Sequence, residues 1–307
     1  MKTEKWGPED IPDMAGKVVV VTGASTGIGK ENARLLANAN ASVILAVRNR
    51  EKGETAAQEI VRGNPSARVA VRILDLASLA SVEAFARQLQ SECDRVDLLI
   101  NNAGVMMCPY EKTADGFEMQ IGTNHLGHFA LTLYLLPLLE KAAGSRIVVL
   151  SSLAHKQGNL DFADLNWETR KYSPGSAYCD SKLANFLFAQ GLIEKLQGRE
   201  NAPLVTVAHP GVTKTDLARH STIGALITGV VAQTAEQGSL PTLRAAFDRN
   251  VSPGDYFGPG GLWEMRGAPV KVKPHQKALD IAAARKLWSL SEDLTRVSWG
   301  ECIDKAM

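Results

Sequence analysis

The feature that most limits the possible folds is a strand, a glycine-rich turn and a helix in immediate succession near the N-terminus. Residues 17–22 read KVVVVT, a short run of mostly apolar, β-branched residues. Such a run is typical of a parallel strand that is buried on both faces. Residues 23–29, GASTGIG, follow at once, and residues 30–38 have the composition of a helix. This order predicts the first unit of a parallel α/β sheet.

The same alternation of strand and helix continues along the chain. Further strands are predicted at 43–47, 69–74, 96–100, 146–151 and 204–208, and further helices at 51–62, 78–92, 124–143 and 178–196. Regular alternation is the pattern of a doubly wound parallel sheet flanked by helices, the Rossmann fold. No linker or compositional break divides the 307 residues. We therefore expect an α/β protein with one Rossmann domain over residues 1–307.

Charge and hydropathy exclude several classes of protein. The chain has 34 basic and 33 acidic residues, and a net charge of +1 does not predict the excess of positive charge that is typical of nucleic acid binding. Residues 1–14 contain no apolar run, which argues against a secretory signal. The most apolar later stretch, 223–232, is too short for a transmembrane anchor, although contact with a membrane surface stays open.

Cysteine and histidine positions indicate neither a disulfide framework nor a metal site. The four cysteines are scattered: Cys93, Cys108, Cys179 and Cys302. Without CxxC spacing they are interpreted as reduced thiols of a cytoplasmic protein. His125 and His128 are three residues apart, but no carboxylate or cysteine completes a metal set, so we expect packing or surface roles.

Gly23, Gly27 and Gly29 lie between the first predicted strand and the first predicted helix. Glycine there permits a tight turn, close approach of the backbone to a pyrophosphate, and close packing of the helix on the strand. The first N–H groups of the helix would then face the phosphates. Glycine-rich turns also close strands for steric reasons, but the strand before and the helix after favour a dinucleotide site.

Four short motifs occur in an order that resembles the short-chain dehydrogenase/reductase family. They are TGASTGIG at 22–29, NNAG at 101–104, YCDSK at 178–182 and Pro-Gly at 210–211. Residues 106–129 and 177–188 resemble the retinol dehydrogenase-like branch in particular. Membrane-bound animal members of that branch carry an N-terminal anchor that we do not expect here, so we do not expect retinal as the natural substrate.

The resemblance implies that Tyr178 and Lys182 are catalytic. They are four residues apart on a predicted helix and therefore share one face. A tyrosine has a pKa of about 10, which a nearby ammonium can lower by roughly 1–3 units. In the family the tyrosine donates a proton to the nascent alkoxide, and the lysine hydrogen-bonds the nicotinamide ribose. We expect the ammonium of Lys182 to set the pKa of Tyr178.

Ser152 and Asn124 complete the implied catalytic set. Ser152 follows the fifth strand and would hydrogen-bond the reacting carbonyl oxygen, while alternation along the strand sends Ser151 to the other face. Asn124 opens the predicted helix and matches the residue that holds a water in the family's proton relay. In isolation a YxxxK pair, a Ser-Ser or an Asn before a helix is usually structural. Their joint occurrence favours catalysis.

The resemblance also implies NADP(H) as the cofactor. Val47 occupies the position where NAD-selective relatives carry a carboxylate. Arg48 offers a planar cation to a 2′-phosphate, and Lys52 could add a second charge. The expected cofactor contacts, with Asp75 near the adenine, are Gly23, Ser25, Thr26, Gly27, Ile28, Gly29, Arg48, Asp75, Leu76, Asn102, Ala103, Gly104, Tyr178, Lys182, Pro210, Gly211, Val212, Thr213 and Thr215.

Two segments depart from minimal alternation, 155–177 and 212–261. Both follow the carboxyl ends of strands, where open α/β sheets bind ligands, so we interpret both as walls of a substrate cavity. Surface decoration is the competing interpretation. The apolar residues 225–231 favour a lipophilic substrate. Residues 16–150 would then mainly bind nucleotide, and residues 151–307 would carry the catalytic helix, substrate loops and C-terminal segment.

The sequence thus predicts an NADP(H)-dependent oxidoreductase that interconverts an alcohol and an aldehyde or ketone. An epimerase or dehydratase on the related extended fold is disfavoured by the glycine spacing. A non-catalytic nucleotide-sensing or interaction protein would not need all four catalytic groups, and a light-dependent pigment reductase stays open. The resemblance also allows a homodimer or homotetramer that buries the helices at 124–143 and 178–196. The physiological substrate and the direction of reaction stay open.

Overall fold

The computed structural model describes residues 6–213, 232–261 and 263–303. Within them, one sheet contains the strands β1 (Val18–Thr22), β2 (Ser42–Val47), β3 (Arg68–Ile73), β4 (Leu98–Asn101), β5 (Arg146–Leu150), β6 (Leu204–Ala208), β7 (Tyr256–Gly261) and β8 (Arg266–Val272). Their order is β3-β2-β1-β4-β5-β6-β7-β8, with β8 antiparallel and the other pairs parallel. The expected Rossmann fold is confirmed, and the six predicted strands lie within a few residues of their expected bounds.

Helices pack on both faces of this sheet. The described helices are α1 (Gly27–Asn38), α2 (Arg50–Gly63), α3 (Leu79–Glu92), α4 (Met119–Ile121), α5 (Gly127–Glu140), α6 (Pro174–Leu196), α7 (Ala235–Phe247), α8 (Ile281–Thr295) and α9 (Trp299–Ile303). Strand β1 shows why both faces must be covered, since Val19, Val20 and Val21 are fully buried. Val20 packs with α3, α5, α6 and α8, whereas Val19 and Val21 pack with α1, α2 and α7. Among the described residues, no helix is long and apolar enough to cross a bilayer.

The described part of segment 212–261 is mostly core, so its interpretation as a cavity wall does not hold there. Leu243, Ala245 and Ala246 of α7 are fully buried against the sheet, and β7 pairs with β6. Strand β7 was not predicted from the sequence because YFGPGG contains glycine and proline, which are typical of turns rather than inner strands. Thr215 and residues 225–231 lie outside the described residues.

Segment 155–177 packs beside α6 without lining the cavity described below. It starts within a 3₁₀ helix, Leu153–Gln157, and runs into α6, which begins at Pro174 rather than at the predicted residue 178. The earlier start has a local cause: Ser173 accepts the N–H of Ser176, and proline suits the first helical position.

The C-terminal helices α8 and α9 cover the helices that the family resemblance assigned to a subunit interface. Trp288 of α8 packs on Phe129 of α5 and Phe188 of α6, with ring centroids 5.0 Å and 6.2 Å apart. Helix α9 packs against α5. The apolar character of α5 and α6 is thus explained by burial inside the chain's own core. A homodimer or homotetramer stays a prediction, but the structure does not support an interface formed by α5 and α6.

Candidate active site

A cavity of about 420 Å³ opens at the carboxyl ends of the central strands. It brings together most of the residues expected to contact the cofactor: Gly23, Ser25, Thr26, Gly27, Ile28, Gly29, Arg48, Asp75, Leu76, Asn102, Ala103, Gly104, Tyr178, Lys182 and Pro210. Sequence reasoning missed other residues of the wall: Ala46, Asn49, Leu74, Val105, Met106, Cys108, Thr123, Leu150 and Ser151. Most of these immediately follow or precede a predicted site residue. Including the two positions on either side of each predicted site residue would have found all but Cys108.

The glycine-rich turn has no room for side chains. Gly23 has φ 67°, and a Cβ there would lie 2.9 Å from the Cα of Ala103. A Cβ on Gly29 would lie 2.5 Å from both the Gly23 carbonyl oxygen and Asn102 Nδ2. The turn leads into α1, whose first N–H groups have no carbonyl one turn earlier to accept from them. This cradle of small residues and free donors fits a pyrophosphate.

Asn102 and Thr22 hold this turn in place. Asn102 Nδ2 donates to the Thr22 carbonyl at 2.7 Å, and Thr22 Oγ1 accepts the N–H groups of Asn102 and Ala103 at 2.9 Å each. The side-chain amide of Asn102 is therefore engaged in joining β4 to β1. Asn102 thus lines the cavity as a residue that supports the glycine-rich turn.

The cavity wall includes two basic residues outside the catalytic candidates. Arg48 is exposed where β2 ends, and Lys52 lies one turn along α2 on the same wall. Val47 is buried, so it presents no group to the cavity. Asp75 also lines the cavity, and its Oδ1 accepts the Ala77 N–H at 3.0 Å.

Tyr178 and Lys182 are both buried, with exposed fractions of 6% and 4%. Burial raises the pKa of Tyr178 to about 12, and a hydrogen bond with Ser152 opposes that rise. Burial lowers the pKa of Lys182 to about 8, and its Nζ lies 5.7 Å from the centre of the Tyr178 ring. The expectation that the ammonium sets the pKa of Tyr178 is therefore wrong: desolvation dominates. The phenol stays protonated at neutral pH and can act as a proton donor.

The two serines after β5 have different partners. Ser151 is buried, and its Oγ donates to the Lys182 carbonyl at 2.9 Å. Ser152 Oγ accepts the Ala154 N–H at 3.2 Å and also pairs with Tyr178. The hydroxyl that reaches the tyrosine is therefore that of Ser152. The cavity wall nevertheless includes Ser151 rather than Ser152, contrary to the expectation that Ser151 lies on the other face.

Asn124 does not open a helix, contrary to the prediction. It is fully buried within a π-helical turn, Gly122–Leu126, that joins α4 to α5. Its amide clamps Val105, accepting that residue's N–H at 2.8 Å and donating to its carbonyl at 2.9 Å. Nδ2 also donates to Ser181 Oγ at 2.9 Å. π-Helical turns often mark functional sites, and this one commits the Asn124 side chain to holding the cavity wall.

Gly104 is packed between two of the catalytic candidates. A Cβ there would lie 3.1 Å from Asn124 Oδ1 and 3.5 Å from Lys182 Nζ. A larger residue in place of the last glycine of the NNAG motif would therefore crowd the Asn124 amide.

The remaining candidates have structural contacts. His128 Nε2 lies 2.9 Å from Thr22 Oγ1, and His125 Nε2 lies 2.8 Å from Ser291 Oγ, so both histidines pack inside the fold. Burial raises the pKa of the Cys179 thiol, which disfavours a nucleophile. Gly211, Val212 and Thr213 follow Pro210 but lie off the cavity wall. No group of three metal-ligating side chains occurs in the described part of the chain.

Comparison with known proteins gives consistent relatives. Residues 17–224 match the family model for short chain dehydrogenases. Human retinol dehydrogenase 13 is 46% identical over 91% of this chain and 84% of its own length, and human retinol dehydrogenase 12 is 44% identical over 93% and 88%.

Solved structures agree with this result. An uncharacterized protein from Mycobacterium paratuberculosis is 41% identical, with a TM-score of 0.82 over 96% of this chain and 99% of its own. A short-chain dehydrogenase from Shigella flexneri, solved as a complex with NADP, is 26% identical, with a TM-score of 0.64 over 80% and 98%. The chain therefore belongs to the short-chain dehydrogenase family and is an oxidoreductase of alcohol and carbonyl groups.

Proposed function

We propose that this chain uses NADP(H) to interconvert a lipophilic alcohol and its aldehyde or ketone. The observation that carries the proposal is the buried, protonated Tyr178 phenol, which pairs with Ser152 beside the cavity and lies one helical turn from Lys182. The human relatives are named for retinol, a lipophilic alcohol. The apolar residues 225–231 lie outside the described structure and stay a sequence argument.

The glycine cradle and the free N–H groups of α1 would hold the pyrophosphate of the cofactor, and Lys182 would hold the ribose next to the nicotinamide. When bound, NADPH supplies the hydride. Lys182 retains most of its positive charge at pH 7 because its pKa is about 8. The positive charge of Lys182 therefore stabilises negative charge on a ligand oxygen that lies close to it.

In the proposed mechanism, the substrate carbonyl oxygen accepts hydrogen bonds from Tyr178 and Ser152. As the carbonyl carbon is reduced, its oxygen gains negative charge, which both donors stabilise more strongly than they stabilise the neutral carbonyl. The phenol then transfers its proton to that oxygen and completes the alcohol. Alcohol oxidation would run the same steps in reverse.

Arg48→Ala should remove most of a preference for NADPH over NADH. Charge-assisted hydrogen bonds are worth about 1.5–3 kcal/mol each, which corresponds to roughly ten- to over a hundredfold in affinity. Titration of both nucleotides into wild type and variant, followed by fluorescence, measures the ratio. Arg50→Ala is the control, because Arg50 is close in sequence but lies off the cavity wall. Tighter binding of NADH than of NADPH by wild type would refute the choice of cofactor.

The proposed reaction is tested by a panel of medium-chain aldehydes, ketones, steroid carbonyls and retinoid carbonyls, each assayed with NADPH. We expect oxidation of NADPH, followed at 340 nm, with the more apolar carbonyls. An absorbance spectrum of the purified protein distinguishes the pigment reductase, because a bound pigment absorbs in the visible range. Tight binding of NADPH without turnover of any carbonyl would instead favour a nucleotide-sensing protein.

A further inference from the structure

His209 is a buried, titratable residue to which the mechanism assigns no role. It lies between β6 and the Pro210–Thr213 loop, and its side chain is completely buried. Its Nδ1 accepts the Gly211 N–H at 3.2 Å. An accepting Nδ1 carries no proton, so in the neutral ring the proton lies on Nε2. Burial lowers the pKa of His209, which keeps the ring neutral at pH 7.

The Nε2 donor of His209 faces a single carboxylate. It lies 3.4 Å from Glu264 Oε2, and at this distance it forms no hydrogen bond with any atom of the described residues. Gly258 packs against the ring beside this donor, because a Cβ there would clash with Nε2. A buried N–H that is fully desolvated is costly unless it is paired, so Glu264 is the group that can stabilise this orientation.

Glu264 is itself held in an unusual position. It belongs to the turn between β7 and β8 and has φ 63°, a left-handed conformation that is uncommon outside glycine. Lys156 Nζ lies 3.3 Å from both of its carboxylate oxygens. Lys156 belongs to the 3₁₀ helix that directly follows Ser152. The contacts of His209 and Lys156 both lower the pKa of Glu264, so its carboxylate is ionised at neutral pH.

The same turn supports the loop after His209 through the backbone. Val212 N–H donates to the Met265 carbonyl at 2.7 Å. Gly211 has φ 65°, and a Cβ there would clash with that carbonyl. A displacement of the turn would therefore move the loop that follows Pro210, which lies on the cavity wall.

We propose that Glu264 is a positioning residue that, through the His209 ring, fixes the 209–213 loop and with it the position of Pro210 on the cavity wall. Lys156 links the same carboxylate to the segment that carries Ser152, so one side chain sets the spacing between the loop and the catalytic serine. This role rests on the proposed function for its effect on turnover. The fixing of the loop itself does not depend on any bound nucleotide.

The first test measures the loop in the protein without nucleotide. Glu264→Gln keeps the shape of the side chain and removes its charge. We expect amide hydrogen exchange at Gly211 and Val212 to become about fivefold faster, because a neutral amide oxygen attracts the Nε2 donor and Lys156 less strongly than a carboxylate does. Glu194→Gln is the matched control, because it removes a carboxylate that pairs with Arg285 on the surface between α6 and α8. Equal exchange rates in Glu264→Gln and wild type would overturn the proposal.

The second test separates the two ends of the cofactor. In Glu264→Gln we expect the dissociation constant for NADPH to rise and kcat to fall, each by about tenfold, because small displacements near the reacting groups are costly. Affinity for adenosine 2′,5′-bisphosphate, which lacks the nicotinamide, should not change. Equal losses for both ligands, together with a lower melting temperature, would mean a merely structural role and would overturn the proposal.

A double variant tests whether Glu264 acts through the histidine. His209→Asn keeps an acceptor at the position of Nδ1 and removes Nε2. In that background Glu264→Gln should add little further loss, whereas additive losses would overturn the proposed route. If the wild type binds no NADPH, the proposed function fails, and the exchange measurement still decides whether Glu264 fixes the loop.

Discussion

Tyr178→Phe should bind NADPH as wild type does and lose nearly all turnover. The substitution removes only the hydroxyl, and the ring stays buried in α6, so the fold and the cofactor cradle should persist. General acid catalysis by a positioned side chain is typically worth about 10²–10⁴-fold in rate. The expected decrease in kcat lies in that range, measured with any carbonyl that the wild type reduces.

The neighbouring residue Cys179 provides the control for this variant. It is half-buried on the same helix, and the proposed mechanism gives it no role. Cys179→Ala should therefore retain kcat while experiencing a similar change in helix packing. A near-wild-type rate in Tyr178→Phe would show that another group donates the proton.

Ser152→Ala should lower kcat by about 10²–10³-fold, the usual effect of removing one donor aimed at a developing negative charge. The Michaelis constant should change much less, because the lost hydrogen bond strengthens mainly in the transition state. The same variant also loses the hydrogen bond that opposes the high pKa of Tyr178. Its pH profile for alcohol oxidation, which needs the phenolate, should therefore shift to higher pH.

Two further variants distinguish the hydroxyl from its structural contact. Ser152 also caps the 3₁₀ helix by accepting the Ala154 N–H, and glycine replaces a capping serine at a cost of only a few tenths of a kcal/mol. Ser152→Gly should therefore be as inactive as Ser152→Ala but more stable to heat. Ser151→Ala loses a buried hydrogen bond and should be less stable, yet active. Collapse of activity in Ser151→Ala alone would mean that the wrong serine was chosen.

The parallel part of the fold could be predicted because it is encoded locally. Strands such as β1 are short apolar runs that no solvent-exposed element tolerates, and Gly23 and Gly29 mark a turn that admits no side chain. The hairpin of β7 and β8 was missed because its glycines and prolines are compatible with a strand only beside a specific neighbour. That neighbour is β6, which is distant in sequence.

Site properties that depend on burial were also out of reach. The spacing of Tyr178 and Lys182 correctly brings them onto one wall, but the pKa of the phenol follows from desolvation, which spacing does not reveal. Asn124 illustrates a similar limit, since neither the π-helical turn that contains it nor its hydrogen bonds to Val105 have a local sequence signature. The contact of His209 with Glu264 joins residues that only the hairpin brings together.

The strands β3 and β8 form the two edges of the described sheet, and their edges affect how the chain behaves at high concentration. An edge strand is a template on which another chain can pair and aggregate. On each of these strands an arginine side chain donates a hydrogen bond to a backbone carbonyl. Arg72 donates to the Val71 carbonyl at 2.8 Å, and Arg244 donates to the Pro269 carbonyl at 2.7 Å. Pro269 also offers no N–H. Bulky charged groups and a missing donor thus oppose sheet extension, so the exposed edges resist fibril-like association.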